Sequence, residues 1–295
     1  MYKSCKLCGR RCGVDRSSGE RGYCKMTDKI YIARADLHFW EEPIISGERG
    51  SGTVFFSGCS LGCIYCQNRD ISRGNMGYEV SEEELAKVFL ELEGKGAHNI
   101  NLVTPTHYAP GIKKALLIAR ERGLSIPTVY NTGGSDTVET VEYMSDVTDI
   151  WLPDLKYYKN ETAKRYSNAD GLPEAERRAI DAMVEKCGEY ELDESGMMKR
   201  GVIVRILLLP GHVAEAKLNL KYLHGKYGDK IFISLMSQYT PSPDMPPPLN
   251  RRVTKAEYGE LVEYAERLGV KNAFIQEISS AKDEYIPEFF GGEIK

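Results

Sequence analysis

Behind the apolar run TVFF comes SGCSLGCIYCQN, which places Cys59, Cys63 and Cys66 within eight residues of one another. No other feature restricts the fold so tightly, because three sulfurs this close must be turned toward one point by the backbone leaving that run. Gly58 and Gly62 can take positive φ without a Cβ penalty, which lets the loop curl. A structural metal site closes with four protein ligands, whereas a catalytic one keeps a position open. Thiolates are the usual ligands of iron–sulfur clusters, and three of them on a four-iron cubane leave one iron for a substrate or cofactor. A zinc ion completed by His38, His98 or His107, and buried thiols without metal, are the competing readings. The C-x3-C-x2-C spacing, the place after a strand and the aromatic Tyr65 favour a [4Fe–4S] cluster.

The rest of the chain places that loop. From residue 53, short β-branched runs alternate with amphipathic stretches, and strands are expected at 54–57, 100–104, 127–131, 150–153, 202–208 and 231–236. Ser81 with Glu84 forms a capping box before LAKVFLELE. A second helix over 111–122 is stopped by Gly123, and Asp136 with Glu139 opens a third. Helices over 173–187 and 214–227 complete six βα units, which predict a parallel sheet with right-handed crossovers. VTPTHY, YNTGG, LPDLKYYK, LLLPGH and MSQYTP put polar residues just past strand ends. Five such ends suit one rim of a barrel better than the single switch point of a doubly wound sheet. The expected fold is α/β, a partial (β/α)6 TIM-type barrel over residues 31–240. It opens with a linking segment, YIARADLHFWEEPIISGERGSG, and carries a polar insert at 160–199 that covers the rim or forms a partner surface. A C-terminal extension, 241–295, starts with PSPDMPPPLNRR, which cannot pair in a sheet. A helix over 255–268 and a short run at 273–278 then pack on the barrel.

Residues 1–30 form a separate module with Cys5, Cys8, Cys12 and Cys24. Four thiolates close a tetrahedral zinc site or hold a second iron–sulfur cluster, and either contributes folding energy to a segment too short for its own core. Unligated or redox thiols are the alternative. Arg10, Arg11, Arg16 and Arg21 make the module basic, as a solvated face or a dock for an acidic partner. Seven of the eight cysteines lie in these two clusters, a pattern of metal sites in a reducing compartment rather than of disulfides. Cys187 reads as a packed small hydrophobe.

The three-cysteine segment resembles the radical S-adenosylmethionine (SAM) superfamily. CIYCQNRDIS and the blocks up to about residue 240 most resemble the pyruvate formate-lyase activating enzyme and its uncharacterised relatives. The resemblance implies a cluster at Cys59, Cys63 and Cys66 whose open iron is chelated by SAM, and an oxidoreductase that cleaves SAM to a 5′-deoxyadenosyl radical for hydrogen abstraction. It implies that Tyr65 touches the adenine, that Asp154 and Lys156 of PDLK contact the cofactor or reaction centre, and that Arg205 and Asn131 with Thr132 line the same rim. Two blocks depart. LVTPTHY replaces a G-G-E motif, which leaves the hydroxyls of Thr104 and Thr106, or backbone carbonyls, to meet the methionyl amine. SQYT replaces a sixth-strand histidine, which leaves Gln238 or Tyr239. An ion pair, a barrel brace and a turn are the plain structural alternatives for Asp154 with Lys156, Arg205 and Asn131, and His107 is equally a substrate contact or a helix-entry residue. The resemblance implies a glycyl radical enzyme or a small molecule as substrate, and a reductant such as flavodoxin or ferredoxin. The class-level rival is a non-catalytic metal–thiolate protein, structural or redox.

Composition narrows the remainder. A formal net charge of −4 offers no basic excess for a phosphate backbone, so nucleic acid is not expected as a partner. The N-terminus MYKSCKLCGR has no apolar leader and no run spans a membrane, so a cytoplasmic protein is expected.

Overall fold

The alternation of in and out along each strand builds the barrel. In the computed structural model, which describes residues 1–74, 76–276 and 289, ten strands form one sheet. They are β1 (Ile30–His38), β2 (Ser51–Phe56), β3 (Tyr78–Val80), β4 (Ile100–Val103), β5 (Thr128–Thr132), β6 (Ile150–Pro153), β7 (Glu191–Leu192), β8 (Met198–Leu207), β9 (Phe232–Met236) and β10 (Ala273–Ile275). The order is β10-β9-β8-β6-β5-β4-β2-β1-β3, with β7 beside β8. From β2 to β10 every neighbour on this path is parallel, while β1 is antiparallel to both β2 and β3. Neither β3 nor β10 closes onto the other, so the barrel is open, a partial TIM-type barrel as expected.

The six expected strands appear as β2, β4, β5, β6, β8 and β9. Phe56, Leu102, Tyr130, Trp151, Val204 and Leu235 point outward into one core with the helices, while their neighbours Phe55, Val103, Asn131, Arg205 and Ser234 face the barrel interior. The helices are α1 (Pro43–Ser46), α2 (Arg69–Ser72), α3 (Glu82–Gly94), α4 (Ala109–Glu121), α5 (Val138–Met144), α6 (Asn160–Ser167), α7 (Leu172–Cys187), α8 (Val213–Tyr227) and α9 (Lys255–Leu268). The capping box of α3 forms, with Glu84 N–H donating to Ser81 Oγ at 3.2 Å and Ser81 N–H to the Glu84 carboxylate at 2.8 Å.

Several expectations need correction. Thr137, not Asp136, caps α5, because its hydroxyl accepts from Thr140 N–H at 3.3 Å. Asp136 turns inward and accepts from the hydroxyls of Tyr130 and Thr132. The supposed linking segment contains β1, nine residues long, whose charged Arg34 and Asp36 mask its pairing. The polar segment 160–199 holds α6, α7 and β7 and runs into β8, and its Ser167 reaches the cysteine loop. The last short run forms β10, a seventh parallel strand, while its residues 277–278 lie outside the described ones.

The missed segment shapes the barrel floor. His38 pairs with Ser51 and Ile32 with Phe56, so the chain leaves β1 where the parallel strands begin. There α1 inserts Ile45, fully buried, among Val129, Ile150, Leu152, Met198 and Ile203. Burying such a side chain stabilises by roughly 1.5–3 kcal/mol. One end of the barrel is thus sealed. Among the described residues, no helix is long and apolar enough to cross a membrane.

Candidate functional site

The other end carries the cysteine loop. Gly58 (φ +85°) and Gly62 (φ +70°) both take the left-handed backbone that the loop needs. At Gly58 a Cβ would lie 2.3 Å from Met26 Cγ and 2.8 Å from the Cys24 carbonyl oxygen, so only glycine fits. Cys59, Cys63 and Cys66 are free thiols, partly shielded from solvent. Leu61 N–H donates to Cys59 Sγ at 3.4 Å, and Ser167 Oγ donates to Cys63 Sγ at 2.9 Å. Burial pushes the Cys66 thiol up to about 12 and raises that of Cys63 as well. Three thiols on one loop, with donors already aimed at two of the sulfurs, fit the ligand set of an iron–sulfur cluster.

Above the floor and below the loop lies a cavity of about 480 Å³, within the size range of a small-molecule site. It brings together the three cysteines and every residue expected to bind the cofactor: Tyr65, Thr104, Asn131, Asp154, Lys156, Arg205 and Gln238. They come from successive strand ends, the geometry of a parallel-barrel rim. Thr104 takes φ +61° and donates its N–H to the Asn131 carbonyl at 2.8 Å. Asp154 and Lys156 form an ion pair at the wall. Burial would lower the Lys156 ammonium, but Asp154 and Cys63 outweigh it and hold the group above the usual lysine range. Gln238 accepts from Gln67 through its carbonyl and from Gln276 at its amide oxygen, 3.3 Å away. Tyr239 sets its ring edge toward Tyr65, centroids 6.1 Å apart.

Sequence reasoning missed several participants. Tyr65 Oη meets Tyr157 Oη at 2.8 Å, and Tyr157 Oη meets Ser167 Oγ at 2.7 Å, so hydrogen bonds run from Tyr65 to Cys63. Only the first tyrosine of LPDLKYYK hinted at Tyr157. Glu41 and Glu42, from the segment under the barrel, also went unseen. Arg205 donates to both Glu42 oxygens at 2.8 Å, to Glu41, and to Asn131 Oδ1 at 3.2 Å. Burial would raise the Glu42 carboxyl, but Arg205 holds it below the usual range. The guanidinium is therefore engaged as a brace between β8 and the floor while it lines the cavity.

The remaining candidates fall elsewhere. Thr132 lines the cavity, but Thr106 is buried behind it at 3.3 Å from the Thr132 hydroxyl. His107 is buried with Nε2 2.7 Å from the Ser57 carbonyl, and burial lowers its imidazole to about 3. His98 pairs with Arg49, while His38 lines the cavity at the far end of β1. Cys187 is packed, 3.8 Å from the Asp149 carbonyl. Cys5, Cys8 and Cys24 are buried and Cys12 is exposed, all outside the cavity.

Comparison with known proteins agrees with this layout. The family model described as the radical SAM superfamily matches residues 53–217. An uncharacterized protein of Methanocaldococcus jannaschii is 30% identical over 278 residues, 90% of this chain and 75% of that one. Solved structures share the fold at lower identity. HydG, the FeFe-hydrogenase maturase of Carboxydothermus hydrogenoformans, has a TM-score of 0.53 and 14% identity, over 77% of this chain and 54% of its own. The protein anSMEcpe, with bound AdoMet, has a TM-score of 0.51 and 16% identity, over 74% and 58%. SuiB of Streptococcus suis, bound to S-adenosylmethionine, has a TM-score of 0.51 and 13% identity, over 77% and 50%. The chain spans about half the length of these solved structures.

Proposed function

This chain belongs to the radical SAM superfamily, whose members use a [4Fe–4S] cluster and S-adenosylmethionine, and from that premise we propose that it abstracts hydrogen from a glycine of a partner protein, as a glycyl-radical activase. The observation that carries the reading is the meeting of Cys59, Cys63 and Cys66 with seven strand-end residues around one cavity. Bound there, the cofactor supplies a 5′-deoxyadenosyl radical and methionine by one-electron cleavage of a C–S bond. The protein's part is to hold and orient. Cys59, Cys63 and Cys66 ligate three irons. Tyr65, fixed by Tyr157, offers a flat face to adenine. Thr104, at the cavity wall, and the carbonyls near it receive the methionyl amine in place of the family's G-G-E. Lys156 offers a cation to a carboxylate, and Gln238, past the end of β9, offers an amide.

Two features support the activase subtype. CIYCQNRDIS and PDLK are the blocks that most resemble that group, and both face the cavity. At about 480 Å³ the cavity suits one drug-sized ligand, so what enters beside the cofactor must be slender, as a backbone glycine is. Flavodoxin or ferredoxin is the proposed electron donor. The test is to mix reduced, cluster-loaded protein and SAM with purified candidate glycyl radical enzymes. A glycyl radical signal in electron paramagnetic resonance is expected with one of them. Release of 5′-deoxyadenosine with no radical on any candidate would transfer the reading to a small-molecule substrate.

A further inference from the structure

The basic module at the N-terminus lies outside the matched family region, yet it grips the catalytic loop. Arg10, between Cys8 and Cys12, reaches into the loop and donates to the carbonyls of Ser60 at 2.8 Å and Leu61 at 3.0 Å. The same guanidinium donates to the Ser167 carbonyl at 3.1 Å and to that of Asn168. Ser60 and Leu61 lie between Cys59 and Cys63, and Ser167 is the donor to Cys63 Sγ. From the other side, Cys24 and Met26 press against Gly58, the residue before Cys59. Gly9 N–H donates to the Ser135 carbonyl at 2.7 Å and anchors the module to the rim.

A second observation concerns charge. Arg16 is fully buried and donates to the carbonyls of Met26, Thr27 and His107, and its Nη1 stands 3.9 Å from Cys5 Sγ. No carboxylate among the described residues pairs with it. A buried cation without a counter-charge costs several kcal/mol. The groups placed to answer it are the thiols of Cys5 and Cys24. Four thiolates around a divalent ion carry a net negative charge, which would balance the guanidinium.

We propose that Cys5, Cys8, Cys12 and Cys24 hold a tetrathiolate metal centre, and that this centre fixes the catalytic loop through Arg10 and the Cys24–Met26 turn. Cys5, Cys8 and Cys24 are buried; Gly13 N–H, next to Cys12, donates to the Cys5 carbonyl at 3.0 Å, and Cys12, the exposed member, lies against Gly22, where a Cβ would come within 2.6 Å of its sulfur. With its ligand set closed, the centre takes no part in binding SAM. It acts as a structural clasp on a segment with little core of its own.

The test does not require the radical reaction. The full chain carrying Cys59→Ala, Cys63→Ala and Cys66→Ala, purified without oxygen, is expected to retain one zinc ion or the iron of one cluster. Adding Cys8→Ser and Cys24→Ser should remove it. A metal-free triple variant, or disulfides among the four N-terminal cysteines by mass spectrometry, would overturn the proposal. In the otherwise unaltered chain, Arg10→Ala should keep the module's metal and lose iron from the catalytic loop several-fold faster under chelator challenge. An unchanged rate would refute the clasp while leaving the proposed reaction intact.

Discussion

Thr104 holds a β-branched side chain at φ +61°, a conformation such residues rarely adopt, and it does so at the cavity wall. Strain of this kind costs on the order of 1–3 kcal/mol and collects at binding sites. Thr104→Gly is expected to raise stability by about 1 kcal/mol in denaturant unfolding while weakening SAM binding measured by calorimetry. Glu176 carries a different burden. It is fully buried beside Lys156, no side chain among the described residues hydrogen-bonds its carboxylate, and burial outweighs Lys156 and the nearby backbone N–H groups to raise its carboxyl well above the usual range. A carboxyl raised in the folded state costs stability as pH climbs above its unfolded value, because the folded form keeps a proton that the unfolded form has lost. Glu176→Gln should therefore raise the melting temperature, by more at pH 8 than at pH 5. Most rim residues were readable because they lie in short polar stretches at strand ends, whereas Arg205, inside β8, and Tyr65, inside the cysteine loop, came from the family resemblance alone. Ser167 and Glu42 were not, since their partners Cys63 and Arg205 are 104 and 163 residues away and no local pattern encodes such a meeting.

Elements show the same division. The six parallel strands declared themselves by period and by the turns that follow them, and the α3 capping box marked its helix start to the residue. β1 did not, because a mixed, partly solvated strand with Arg34 and Asp36 reads as a linker. That miss hid the barrel floor, where α1 delivers Ile45 to the core and Glu42 to Arg205. The floor makes two stability statements. Ile45→Ala should cost about 2–5 kcal/mol, as a methyl-rich side chain leaves a cavity in a sealed layer. Arg205→Met should cost about 3–5 kcal/mol, because it leaves the Glu41 and Glu42 carboxylates buried without their cation. Equilibrium denaturation of each variant checks both, and a loss below 1 kcal/mol at either position would mean that the floor does not brace the barrel.

For the whole molecule, a barrel left open between β3 and β10 holds the candidate cavity with a braced floor and a cysteine loop above. Its architecture was written in the sequence by repetition, while the grip of the N-terminal module on the loop arises only when residues far apart in the chain meet. The account turns on three thiolates leaving one iron of a [4Fe–4S] cluster open to SAM. The direct measurement is of 5′-deoxyadenosine and methionine released when the anaerobically reconstituted protein is reduced in the presence of SAM. Both products are expected from the unaltered chain, and neither from Cys63→Ala. Reconstituted protein that holds its cluster yet releases neither, or a Cys63→Ala variant that releases both undiminished, would contradict it.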